Sequence, residues 1–362
     1  MNIWDSYVFV KGNNELAKLC DTYFKTKESN LLFIMGCGFD PRMNNIFFHF
    51  LEKEAFRQIT CLLIDFPRGK ETPQDKLYLN NKSTLENKCN QYGVKVITIK
   101  DAHDKDSERR IIEIIRQLKQ LNYDEFSDIV VDVSAMPRAI YFNICKCLFN
   151  MSTRNKKNLF FSVSENIEID ASIVNIAGDE IYPIYGFGRN YTLEANWDKR
   201  TVLIPLLGEH HIDELEKIFI NFKPVDVCPI LPFPSINPRR AEEILVTHMD
   251  FFRRRGFAEP QNYTYADERN PFELYLIIRE LIKNYQITLK PITDCVCFGI
   301  AALTSKLMSL GALLVGLEQP QDVSFYTSSP VDYQVENFIK LDELNKSSET
   351  FLMWITGEAY DK

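Results

Sequence analysis

The sequence lacks most of the features that would place it at once. No apolar run reaches the roughly 18 residues that a membrane-spanning helix needs. The two longest, VVDVSAMPRAIYFNICKCLF (130–149) and VCFGIAALTSKLMSLGALLVGL (296–317), are each broken by a polar or charged turn. The opening MNIWDSYVFVKGNNELAKLC has no basic segment followed by a long apolar stretch, which argues against a secretory signal. The five histidines stand at 49, 103, 210, 211 and 248, with no His-x-x-x-His or His/Asp spacing, so neither a metal nor a cofactor is expected. Positive charge is also short: the formal net charge is −8, which argues against a broad nucleic-acid surface. A local cationic pocket for a small anion stays open. Nine cysteines without an export signal are expected as reduced thiols in a cytoplasmic protein with no membrane partner. Cys145/Cys147 and Cys295/Cys297 are spaced Cys-x-Cys, which is not a zinc-knuckle spacing, and are expected as small buried hydrophobes.

What the chain does have is apolar runs alternating with helical periodicity, the mark of an α/β protein with mostly parallel sheets. Strands are expected at NLLFIMG, ITCLLIDF, VKVITI, DIVVDV and NLFFSVS in the first half. In the second half they are expected at TVLIPLLG, DVCPILPF, QNYTYA, DCVCFGI and DVSFYTS. Helices are expected near 42–56, 107–121, 137–150, 211–222, 238–255, 271–284 and 304–318. The halves also match each other. LLIDFPRG falls on PILPFPSI, and DIVVDVSAMPRAIYFNICKCLF falls on DCVCFGIAALTSKLMSLGALLV, setting Arg138 over Lys306. A period of roughly 167 residues is far too long for a solenoid repeat and reads as domain duplication. The expected architecture is therefore two tandem Rossmann-like domains, 1–178 and 201–362, with a joint over 179–200.

Four turns share an oddity. MGCGFDPRMNN leaves a strand through Gly36 and Gly38, and Asp40-Pro41-Arg42 then starts a helix. DVSAMPRAIYF does the same through Ser134, Pro137 and Arg138, and LPFPSINPRRAEEIL through Asn237, Pro238 and Arg239-Arg240. FGIAALTSKLM does so through Thr304, Ser305 and Lys306. Asp, Ser, Asn or Thr as N-cap followed by Pro is ordinary helix-start chemistry. A cation in the first turn is not: it opposes the helix dipole by a few tenths of a kcal/mol to about 1. Either these cations are solvated or ion-paired, with Asp40 and Glu242 available as partners, or they await anions. Ligands of open α/β sheets bind at this edge, and helix N-termini with hydroxyls and Arg or Lys make a phosphate cradle.

The stretch FGIAALTSKLMSLGALLVGL resembles the ligand-binding strand–turn–helix of CRISPR-associated Rossmann-fold (CARF) sensor domains. Thr304, Ser305, Lys306, Met308, Ser309 and Gly311 carry the likeness, while Ala301-Ala302 stand where glycines are usual. The likeness implies binding of a nucleotide-derived ligand across a pseudo-twofold pocket between the halves. It also implies a regulatory role in bacterial anti-phage defence, with output through an effector or other protein partner. The phosphate-binding set would be Gly36, Gly38, Asp40, Arg42, Ser134, Arg138, Arg239, Thr304, Ser305 and Lys306. FIMGCGFDPR also resembles the first motif of class I methyltransferases, in which Asp65 would bind the ribose of S-adenosylmethionine. A ring-nuclease-like phosphodiesterase, using positioned Ser, Lys and Arg or an acid/base at His210-His211, and a non-catalytic structural subunit using aromatics such as Trp197, are the remaining readings.

Overall fold

The computed structural model describes the chain except residues 1–2, 28, 67–71, 101–106, 189–198, 258–261, 294, 336–337 and 361–362. Trp197 and the rest of 189–198 within the expected joint lie outside the described residues. The chain divides into two units: Asp5–Ser172 with Val335–Lys362, the amino unit, and Met1–Trp4 with Ile173–Gln334, the carboxyl unit.

In the amino unit β1 (Val8–Lys11) leads into α1 (Gly12–Leu19), a π-turn (Cys20–Phe24) and the short α2 (Lys25–Lys27). There follow β2 (Asn30–Cys37), a 3-10 turn (Pro41–Asn44), α3 (Asn45–Glu52), β3 (Gln58–Asp65), α4 (Pro73–Gln91), β4 (Lys95–Lys100) and α5 (Ser107–Lys119). After these come β5 (Asp128–Asp132), α6 (Arg138–Asn155), β6 (Asn158–Glu165) and α7 (Ile167–Ser172). The sheet runs β4-β3-β2-β5-β6 in parallel, and is extended by two strands through antiparallel pairing with the chain's last strand. Near-continuous apolar runs form these strands because both faces of a parallel sheet are covered. On one face Phe24, Phe33, Phe47, Phe50 and Phe160 are fully buried, with edge-on contacts such as Phe24–Phe160 at 5.4 Å between centroids.

The carboxyl unit holds β7 (Ile173–Pro183), β8 (Lys199–Leu206), α8 (Ile212–Phe222), β9 (Asp226–Val227), β10 (Ile230–Pro232) and α9 (Arg240–Arg255). It continues with β11 (Thr264–Ala266), α10 (Pro271–Leu289), β12 (Cys295–Ala302), α11 (Lys306–Glu318) and β13 (Val323–Val335). Its sheet order is β11-β10-β8-β12-β13-β7, with β11 through β13 parallel. Numbered from the first core strand, both units therefore read 3-2-1-4-5, a doubly wound Rossmann-like order. The matching fourth strands begin at Asp128 and Cys295, as the period of roughly 167 residues requires.

The end of the chain departs from the sequence expectation, which carried the second domain to residue 362. After α12 (Phe338–Asn345), β14 (Glu349–Thr356) lies between β6 and β1 of the amino unit. FLMWIT is an apolar run like any core strand, but its partners are far away in sequence, and order along the chain does not reveal them. α4 was also unforeseen. Its sequence is polar and weakly periodic, and it is started by a capping box in which Thr72 and Asp75 bond reciprocally.

In each unit a glycine just past or within the end of the first core strand lies under the turn leaving the fourth. A Cβ on Gly208 would stand 2.5 Å from the Leu303 carbonyl oxygen and 3.1 Å from Thr304 Cα. A Cβ on Gly36 would meet Met136 Cγ at 2.7 Å and the Ala135 carbonyl oxygen at 3.1 Å. Gly208→Ala is expected to destabilise by about 1–3 kcal/mol, because backbone must move. Gly36→Ala should destabilise less, since its closest neighbour is a flexible methionine. Urea denaturation of the two variants tests the ranking.

Candidate functional site

At the carboxyl edge of the amino unit, β2 ends at Cys37 and Asp40 caps the turn by accepting the Arg42 backbone N–H at 3.0 Å. Arg42 then folds back on the same carboxylate: Nε donates to Oδ1 at 3.0 Å and Nη2 to Oδ2 at 2.7 Å. Its Nη1 meets Asp170, in α7, at 2.8 Å. Burial pulls the guanidinium pKa down, but Asp170 and Asp40 more than reverse this and hold it well above its ordinary value. The first-turn cation here already has its anions, supplied by the protein. The sequence foresaw Asp40 as a partner but not Asp170.

The second turn of this edge is built on Asp132, whose Oδ1 accepts the Ser134 N–H at 3.0 Å and whose Oδ2 accepts the Ser162 hydroxyl at 3.1 Å. Ser134 is buried, and its Oγ accepts the Ser164 N–H at 2.8 Å. The expected ligand hydroxyl is thus engaged in tying β5 to β6. Gly36 packs tightly under Ala135 and Met136, whereas a Cβ on Gly38 would make only ordinary contact with the Ala135 carbonyl at 3.6 Å. Asn45 Nδ2 donates to Ser164 Oγ at 2.9 Å and to Asn345 Oδ1 at 2.8 Å, while Asn345 Nδ2 donates to the Pro41 carbonyl at 3.1 Å. Asp65 is buried and accepts the Tyr78 hydroxyl and Lys82 Nζ, each at 2.7 Å. Burial, reinforced by that carboxylate, pushes the Tyr78 hydroxyl up to about 12. Side chains of α4 therefore occupy the carboxylate that a ribose would need. Arg138 opens α6 half-buried, with Pro137 before it and no acidic residue in the first turn.

In the carboxyl unit the corresponding edge carries a second buried arginine, Arg240. Its Nε and Nη2 donate to Glu209 at 2.7 and 2.8 Å, and its Nη1 pairs with Glu268. Burial raises the Glu209 carboxyl and the Arg240 bonds lower it further, so it ends below the ordinary range. Glu268, which shares the same arginine but is more deeply buried, ends above it. The sequence singled out Arg239, which is exposed and only starts α9, where its N–H donates to Asn237 Oδ1 at 3.0 Å. Arg240, Ile244 and His248 recur every fourth residue on the buried face of α9, and that period was the signal for the deeper arginine. Its partners are Glu209 and Glu268 rather than Glu242.

Thr304 is buried and its hydroxyl lies 3.5 Å from Met308 Sδ. Ser305 caps α11 by accepting the Met308 N–H at 3.3 Å. Ser309 Oγ donates to the Ser305 carbonyl at 2.8 Å, and Gly311 lies under the Pro271 carbonyl of α10. Much of the Thr-Ser-Lys pattern therefore builds the turn itself. Lys306 opens α11 half-buried, again with no acidic residue in the first turn. Thr304, Ser305 and Lys306 thus sit together. Arg239 follows β10, two strands away from β12, or about 10 Å at the usual strand spacing.

Beside these turns His211 Nδ1 lies 3.5 Å from Glu214, whose Oε1 accepts both the N–H and the hydroxyl of Ser328 at 2.9 Å. His248 is fully buried and its Nδ1 is 2.8 Å from the Ile244 carbonyl, which fixes the neutral tautomer with the proton on Nδ1. Among the described residues no group of three or more His, Cys, Asp or Glu is arranged to hold a metal ion, and no helix is long and apolar enough to cross a membrane.

This geometry defines a two-unit α/β protein with Rossmann-like, mostly parallel sheets. No protein-family model matches the chain, and no curated protein matches its sequence. Among solved structures it is similar to a type III CRISPR defence DNA nuclease activated by cyclic oligoadenylate, at 10% identity and TM-score 0.48, over 82% of this chain. The chain spans 65% of that nuclease's length. It is also similar to a protein described as a candidate universal stress protein of Pseudomonas aeruginosa, at 13% identity and TM-score 0.24, covering 88% of this chain and 98% of that one. A third likeness is to the cytoplasmic domain of a prokaryotic cation chloride cotransporter, at 14% identity and TM-score 0.25, covering 84% and 97%. At these scores none of the likenesses carries a functional argument.

Two outcomes are expected. Arg42→Leu should destabilise the protein by about 3–5 kcal/mol, because it strands a buried carboxylate, whereas Arg239→Ala should change stability by less than about 0.5 kcal/mol. Denaturant midpoints measure both. Burial, with His211 adding to it, lowers the His248 pKa, while the Ile244 carbonyl and Glu209 oppose the shift. The folded pKa lies below the unfolded value, so His248 contributes stability above about pH 6.5 that is lost as pH falls. His248→Leu should flatten the acid limb of a stability–pH curve measured from pH 7.5 to 5.

Proposed function

We propose that this protein binds a phosphorylated, nucleotide-derived ligand at the carboxyl edges of its sheets, through the turns that open α6 and α11. One observation carries the reading. In both units the helix after the fourth strand begins beside the end of the first strand, the switch point of a 3-2-1-4-5 sheet. Each of these helices opens on a cation, Arg138 or Lys306, without an acid in its first turn. A phosphate at the start of α6 or α11 would be favoured by the helix N-terminus and by the cation together. Ser305 and Thr304 flank Lys306, and the CARF-like pattern of 298–317 supports a nucleotide as the carrier of that phosphate. On this reading the protein is a cytoplasmic sensor or regulatory component of an anti-phage system whose output passes to a protein partner.

The double variant Arg138→Ala/Lys306→Ala is expected to abolish nucleotide binding while its thermal melt stays within a few degrees of the unsubstituted protein. Isothermal titration with cyclic and linear oligonucleotides and with mononucleotides measures the first, and circular dichroism the second. Unchanged affinity in the double variant would sink the proposal. Tight binding of S-adenosylmethionine instead of these ligands would favour the methyltransferase.

A further inference from the structure

Residues two apart on a strand share a face, and Cys295 and Cys297 stand side by side at the start of β12 with their sulfurs 3.9 Å apart. Their face is that of Gly299, where an added Cβ would strike the Phe222 ring at 2.8 Å, so the sheet is tightly covered just beyond them. Cys297 is buried, whereas Cys295 is partly exposed, contrary to the expectation that both are inert core thiols. The remaining cysteines are buried except Cys147. Successive strand residues rise about 3.3 Å, so the two Cα atoms are about 6.6 Å apart. The Cα span is within the range of about 4.4–6.8 Å for a disulfide, but the two Cβ atoms, on parallel bonds, are also about 6.6 Å apart against the about 3.5–4.5 Å a disulfide allows. Closure therefore needs a local pucker of the strand. The pucker would fall at Cys295, whose N–H donates to Thr293 Oγ1 at 3.3 Å and whose carbonyl accepts from the same hydroxyl at 3.0 Å.

We infer that Cys295 and Cys297 form a reversible dithiol–disulfide site, opened to solvent through Cys295 and resolved from within by Cys297. The oxidant is a low-molecular-weight disulfide such as glutathione disulfide. The Cys295 thiolate attacks one sulfur of the oxidant, forming a mixed disulfide and releasing one glutathione thiolate. The Cys297 thiolate then attacks the Cys295 sulfur, the protein disulfide forms, and the second glutathione thiolate leaves. Two protein thiols lose two electrons and two protons, and one glutathione disulfide becomes two thiols. A disulfide that closes only by puckering a strand is strained, so it is easily reduced and acts as a labile site rather than a structural brace.

The test uses the full chain incubated with glutathione disulfide, trapped with iodoacetamide and mapped by peptide mass spectrometry. The peptide bearing both cysteines is expected to lack two hydrogens and to carry neither alkyl group nor glutathione until dithiothreitol restores it. Cys147, without Cys295's near neighbour at 3.9 Å as a resolving thiol, is the internal comparison and should keep glutathione or take the alkyl group. Cys297→Ser should leave Cys295 as a lasting glutathione adduct, and Cys295→Ser should leave Cys297 unmodified. Full alkylation of both cysteines, or a lasting glutathione adduct on Cys295 in the unsubstituted protein, would overturn the inference.

Discussion

The arrangement of each unit depends on the missing side chain of a single glycine. Gly36 and Gly208 let the turn after the fourth strand close over the end of the first. That contact sets where α6 and α11 begin, and with them Arg138 and Lys306. A Rossmann-like sheet reverses its winding between these two strands, so the closest backbone approach and the expected ligand edge coincide. In each case the space a glycine opens is filled from inside. Met136 and Ala135 take it in the amino unit, and Leu303 and Thr304 in the carboxyl unit. Glycine here fixes where the helices, and with them the cations, begin.

The cations then divide by strand. Arg42 follows the first strand and Arg240 the second. Each is buried and held by two carboxylates, a grouping that returns little net stability because desolvation offsets the attraction. What it does return is register. Asp40 can bond Arg42 through both its backbone and its guanidinium only in one turn geometry, and Arg240 joins the loops after the first, second and third strands of its sheet. Losing either partner leaves a buried charge alone, which is why such clusters persist despite their small net contribution. Arg138 and Lys306 follow the fourth strands, open their helices half-buried, and lack an acid in the first turn.

The core strands were legible because each is an apolar run bounded by a turn, and the period of roughly 167 residues was legible because both units repeat one strand order. N-caps were equally readable: Asp40 and Ser305 do what their positions in the sequence suggest. What the sequence hid was long-range or face-dependent. Nothing near Glu349 announces that β14 pairs with β6 and β1, since a strand's partners are a property of the whole sheet. Asp170 and Glu268 are ordinary acidic residues until the fold brings them to an arginine. Arg239 and Arg240 differ only in face, because one residue along a helix turns a side chain by about 100°, here from solvent to core.

The returning segment also makes the carboxyl edges of the two sheets unequal. Asn345, at the end of α12, bonds the Pro41 carbonyl and Asn45, and Asn166 donates to the Leu344 carbonyl, so the turn that bears Arg42 is sealed by residues from near the end of the chain. Ser134 is drawn into the same network through Ser164. At the edge of the amino unit the hydroxyls and carboxylates of Ser134, Ser162, Asp132 and Asp65 are already engaged in bonds within the protein. In the carboxyl unit the Ser305 hydroxyl only caps its helix, a role that a phosphate at the same N-terminus could share. That asymmetry follows from where β14 pairs, because without it α12 would not be carried across the Arg42 turn.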